Sequence, residues 1–128
     1  MDLPVTALYA GLLAILMIAL AIPVGQLRGK TGVSILDGGN PELAVAMRRH
    51  QNFTEWVPMA LILLGVLELN GVSHLVLHVM GILLVVFRIA HPAGLKAETT
   101  QGLGRLIGAG GTTVLIAVMA VWAIITAL

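Results

Sequence analysis

LPVTALYAGLLAILMIALAIPVGQL, running from Leu3 to Leu27, contains no Asp, Glu, Lys or Arg. A helix needs about 20 mostly apolar residues to cross the core of a bilayer, and this stretch exceeds that length. Three further stretches repeat the pattern: Trp56 to Leu67, continuing a helix opened upstream, Leu69 to Phe87, and Leu106 to Leu128. The composition agrees with them. Hydrophobic residues make up 59% of the 128 and charged residues 10%, where a soluble domain carries roughly 25% charged residues. The sequence therefore predicts an all-α, integral membrane four-helix bundle occupying residues 1–128 as a single domain, with the lipid bilayer as its surroundings.

Working outward, helix 1 is expected over about residues 4–26, with Pro4 in the first turn, where its missing N–H costs nothing, and Pro23 bending or ending it. The glycine-rich segment that follows, with Asp37-Gly38-Gly39, suits turns. Asn40-Pro41-Glu42 reads as a helix start, because Asn caps, Pro fits the first helical position and Glu favours the positive end of the dipole. Helix 2 is expected over residues 41–69. Asn70-Gly71 turns the chain into helix 3, over 72–90, which His91-Pro92 ends; a third loop to about Gln101 leads into helix 4, over 102–127. Lys and Arg gather around the first and third loops: Arg28, Lys30, Arg48 and Arg49 at one, Arg88, Lys96 and Arg105 at the other. By the positive-inside rule both loops are cytoplasmic and both termini lie on the far side.

Several function classes drop out. A net charge of +1 without a basic face argues against nucleic acid. The absence of cysteine removes disulfides, thiolate metal sites and a cysteine nucleophile, so any thiol chemistry must use a bound thiol. Ala19-Leu20-Ala21 resembles a signal-peptide cleavage site, but the apolar run follows Asp2 instead of a basic region and is too long, so it reads as a retained helix. His74 and His78 share one face of helix 3 without a third ligand, so they read as hydrogen-bonding residues and no metal is expected. A small multidrug transporter would need an ionisable residue in mid-span of helix 1, which has none. Glu68, beside Asn70-Gly71, reads as interfacial.

The chemistry lies in Arg48-Arg49-His50-Gln51-Asn52-Phe53-Thr54-Glu55-Trp56-Val57-Pro58, a polar string fused to an apolar span. At about 100° per residue Arg48, Asn52 and Glu55 fall on one stripe, with Gln51 at its edge. One reading is mutual neutralisation of Arg48 and Glu55 at the membrane surface. The other notes that Arg28, Arg48, Arg88 and Arg105 converge at one end of the bundle with His91, while Glu55 is the only carboxylate near them within a span. Burying so many guanidiniums calls for an anionic ligand, and carboxylates suit them. Gly104, Gly108 and Gly111 line one face of helix 4 and allow close helix approach.

The helix 2 string Arg48, His50, Asn52, Glu55, Pro58 is similar to the Arg-x-His-x-Asn-x-x-Glu-x-x-Pro pattern of the MAPEG family, the membrane-associated proteins in eicosanoid and glutathione metabolism. Gly25-Gln26-Leu27-Arg28 and Arg88-Ile89-Ala90-His91 resemble two further stretches of it. The resemblance covers nearly the whole chain and is strongest to short bacterial members. It implies a homotrimer in a bacterial inner membrane, with glutathione, as co-substrate, held between subunits near the cytoplasmic face; with the loop charges above, both termini are then expected in the periplasm. Carried over, Arg28, Gln51, Asn52, Glu55 and His91 fall at glutathione contacts and Arg105 falls near the arginine that activates the thiol; by their own placement Arg28, Arg48 and Arg88 suit holding carboxylates or bracing Glu55. One departure stands out: Leu95 occupies a place where glutathione-using relatives carry tyrosine.

The resemblance thus implies a membrane-bound glutathione transferase or peroxidase acting on a hydrophobic small molecule that enters from the bilayer. A thiol of pKa near 8.5 must fall by about two units to be mostly ionised at neutral pH, which asks roughly 2.7 kcal/mol of positive charge nearby. The alternative is a non-catalytic lipid-binding or scaffold protein of the same fold, a class the family also contains.

Overall fold

The computed structural model describes residues 2–96 and 102–128, so the expected end of the third loop at Gln101 lies outside the described residues. These residues form four helices: α1 (Pro4–Thr31), α2 (Pro41–Leu69), α3 (His74–Gly94) and α4 (Leu103–Ala127). Each is long and apolar enough to cross a membrane.

Two helices run on past the prolines expected near their ends. Pro23 neither ends α1 nor stops it near Gln26; the helix continues to Thr31. It stops at Gly32, whose φ of 70° gives the left-handed cap and whose N–H bonds the Arg28 carbonyl at 2.9 Å. Nor does His91-Pro92 end α3, which persists to Gly94. Its last turn is clamped from outside: a Cβ at Gly94 would collide with the backbone of Gly104 and Arg105, so α3 and α4 touch there without intervening side chains. Packing outweighs the single hydrogen bond that a proline in the last turn removes. At its other end α3 starts at His74, two residues later than the spacing suggests, because Gly71 takes a φ of 79° and Ser73 occupies the N-cap.

The start of α2 follows its sequence signals, with the Asn40 side chain accepting from the N–H groups of Glu42 and Leu43, both at 3.0 Å. The start of α1 is built differently. No side chain at its own N-cap serves it; instead the carboxylate of Glu68, at the far end of α2, accepts from Val5 N at 2.9 Å and Thr6 N at 2.8 Å. Glu68 is thereby buried, and its negative charge faces the positive end of a helix.

The core runs between the helices through Tyr9 and Leu13 of α1, Phe53, Val57 and Leu64 of α2, Leu77 and Leu84 of α3, and Leu115 and Met119 of α4. Tyr9 lies flat against Gly81, and its hydroxyl meets the Nδ1 and the carbonyl oxygen of His78, each at 3.0 Å. His78 is therefore an interhelical hydrogen-bonder. The outer faces are apolar, with Ile15, Ile62, Leu75, Val114 and Ile125 all exposed, as a bundle surrounded by lipid requires.

Candidate functional site

The polar string of helix 2 falls inside α2 and straddles the boundary between the bundle's interior and its surface. Arg48 and Glu55, seven residues apart, point in nearly the same direction on the helix. Arg48 Nη1 donates to Glu55 Oε1 at 3.0 Å, and both side chains are about half exposed, at 54% and 49%. Gln51, on the same face, is exposed. Asn52, turned about 40° from Arg48, is on the inner side and buried.

From the inner side Asn52 meets Arg88, whose Nη1 donates to its Oδ1 at 2.9 Å. The second terminal nitrogen, Nη2, donates to the Gly108 carbonyl at 2.8 Å. Arg88 is 1% exposed, so this guanidinium ties α2, α3 and α4 together from within. The residue type at 108 matters here. A Cβ would strike His91 and the Phe87 carbonyl, so only glycine lets α4 come near enough for its backbone to receive Arg88. The sequence singled out Gly108 as a small residue but gave no sign that its carbonyl binds an arginine.

His91 lies one turn beyond Arg88, 4% exposed, and the charges of Arg88, Arg105 and Arg48 all bear on it. Two buried nitrogens in this cluster, Arg88 Nε and His91 Nδ1, have no hydrogen-bond partner among the described residues. Buried polar atoms are almost always paired, so this is where a polar ligand gains most. Arg105 sits in the first turn of α4, partly buried, one turn before Gly108. Arg28 is placed elsewhere: Nη1 donates to the carbonyls of Val33 and Leu36, both at 3.1 Å, and Nη2 approaches Met47 Sδ at 3.5 Å. It closes the first loop, and its hydrogen bonds among the described residues go to none of the other candidates.

The eight candidates therefore separate into three groups. Asn52, Arg88 and His91 form a buried cluster with Arg105 close by; Arg48, Gln51 and Glu55 form a strip on the outside of α2; Arg28 braces a loop. Beside the outer strip lies an apolar cleft of about 390 Å³ lined by Glu55, Trp56, Met59 and Ile116. A larger groove of about 630 Å³ between α3 and α4 is walled by Val79, Leu83, Phe87, Val114 and Val118, with no charged residue in its lining among the described residues.

This constellation can be compared with known proteins. The MAPEG family model matches residues 6–125. The chain belongs to the MAPEG family. Within it, the chain is 39% identical over 90 residues to Inner membrane protein YecN of Escherichia coli strain K12, covering 70% of this chain and 69% of that protein. YecN from Escherichia coli O6:H1 matches to the same extent. No solved structure matches. The MAPEG match spans all four helices, so the buried cluster, the outer strip and the Arg28 brace all lie within the family's domain.

Proposed function

We propose that this MAPEG protein is a multi-pass inner-membrane glutathione transferase, conjugating or reducing hydrophobic electrophiles. The observation that carries the reading is the Arg48–Glu55 pair, opposite charges half exposed on the outer face of a helix long and apolar enough to cross a membrane, at the edge of an apolar cleft. Charged side chains on such a face are costly unless they serve a ligand or a partner. Glutathione fits the chemistry present: two carboxylates for guanidiniums, an ammonium for Glu55, and the thiol that a chain without cysteine must obtain from outside. Bound, it supplies the nucleophile.

The chain's residues then divide the work. Arg48 and Glu55 bind and orient the peptide, Gln51 and Asn52 add hydrogen bonds, and Arg88 holds Asn52 in place. Arg105 brings positive charge to the thiol, and Trp56, Met59 and Ile116 receive the apolar electrophile. The outer strip and buried cluster enclose one ligand only if another surface covers α2, which supports a homotrimer with the site between subunits. The relatives named inner membrane proteins support the location, and the basic loops support a cytoplasmic site with both termini periplasmic.

A second reading, a non-catalytic lipid-binding or scaffold MAPEG protein, draws on Leu95. It is buried where relatives using glutathione carry tyrosine, and its carbonyl is taken by Arg49 at 2.6 Å. Titration calorimetry of the detergent-purified protein with glutathione, followed by turnover of a generic hydrophobic electrophile, separates the two. Binding with turnover supports the transferase; binding without turnover, or no binding, supports the scaffold.

A further inference from the structure

Arg48 and Arg49 are neighbours in sequence, but about 100° of helix rotation sends them to different places. Arg48 faces outward to Glu55. Arg49 faces a separate cleft of about 330 Å³, walled by Leu16, Leu20 and Pro23 of α1, Ala46 of α2, and Ile89 and Pro92 of α3. That volume lies at the lower end of the range for small-molecule sites, about 300 to 1,000 Å³. Among the described residues, Arg49 is the only charged group in the lining. Its Nη2 donates to the Leu95 carbonyl, while its Nε is buried and has no partner among the described residues. The only ion pair among those residues is Arg48–Glu55, so no carboxylate there neutralises Arg49.

We propose that this cleft binds an anionic phospholipid of the surrounding bilayer, its phosphate on Arg49 and one acyl chain along α1. The layout matches a lipid in place. Arg49 and Pro92 lie toward the basic end of the bundle, and Leu20 and Leu16 continue along α1 toward its middle, so head and chain point as they do in a membrane leaflet. A phosphate supplies a negative charge to Arg49, and the apolar walls accept the chain. Basic pockets between membrane helices recognise acidic head groups in this way. All walls come from one chain, so the site requires no assembly and no thiol ligand.

Native mass spectrometry of the intact protein in mild detergent tests this, with phosphatidylglycerol and phosphatidylcholine of identical acyl chains at equal concentration. The proposal predicts preferential retention of phosphatidylglycerol by about five-fold, the contribution of one interfacial guanidinium. Arg49→Gln should bring the ratio near one, whereas Lys30→Gln, which removes a charge outside the cleft, should preserve it. Leu20→Trp, which fills the cleft and leaves the arginine in place, should also abolish the preference, with thermal unfolding showing that each variant is folded. Equal retention of the two lipids by the parent overturns the proposal, as does a preference that survives Arg49→Gln. With oleate added as a third competitor, its retention in place of phosphatidylglycerol also overturns the proposal and reassigns the cleft to a free fatty acid.

Discussion

Asn52 and Glu55 stand three residues apart on one helix, yet one is buried against an arginine and the other is half in the open. Their substitutions should therefore differ in kind. Asn52→Ala removes the partner of Arg88 Nη1 in the interior, leaving the guanidinium only its bond to the Gly108 carbonyl, and should lower stability by about 1.5 to 3 kcal/mol, the range for a hydrogen bond to a charged group. Glu55→Gln should leave the thermal midpoint nearly unchanged and weaken glutathione binding, which calorimetry on the two variants reads directly. The stripe itself was legible in the sequence, because Arg48, Asn52 and Glu55 obey the helical repeat. Which member turned inward was not, since an angle on a helix does not say where the neighbouring helix lies. Glu68 was legible only as a residue near the end of a span. Its partners, Val5 N and Thr6 N, are more than 60 positions away and are backbone groups, which no side-chain pattern reveals. Glu68→Ala should remove this cap and lower stability by about 1 kcal/mol, measurable as a shift in the detergent unfolding curve.

At the scale of the helices, the glycine stripe of α4 faces α3 of the same chain. Cβ atoms at Gly104, Gly108 and Gly111 would meet the Ala90 carbonyl, the Phe87 carbonyl with His91, and the Phe87 ring. Close approach was therefore foreseeable from spacing, whereas the identity of the approaching helix was not. Gly108→Leu should force α3 and α4 apart, lower stability by about 3 kcal/mol or more, and disconnect Arg88 from its carbonyl. The check is a thermal unfolding midpoint that falls well below that of Gly110→Ala, at a glycine with open space beside it. The two helix ends that differ from expectation share a cause. Proline signals at Pro23 and Pro92 are local, and in each case the residues beyond are kept helical, at α1 by a glycine cap further on and at α3 by direct backbone contact with α4.

For the whole molecule, four spans follow from composition because lipid leaves a chain few alternatives to helices. Assembly is less accessible, since the outer face of α2 carries a charged pair but nothing in one chain shows what covers it. If the site lies between subunits, mass measurement in mild detergent should give a trimer, and monomers or dimers would contradict that arrangement. The positive-inside rule predicts Gly39 in the cytoplasm and the C-terminus on the opposite side, so a C-terminal reporter found in the cytoplasm would overturn the proposed orientation. The central claim concerns the thiol, and the most direct measurement is the ultraviolet absorbance of thiolate as pH is varied with glutathione bound, in the parent and in Arg105→Ala. The account predicts thiolate in the parent well below the titration range of a free thiol, near pH 8.5, together with an upward shift of that titration and a 10-fold to 100-fold loss of turnover, roughly 1.4 to 2.7 kcal/mol, in the variant. A parent that titrates as free glutathione does, or a variant indistinguishable from it, would contradict the account.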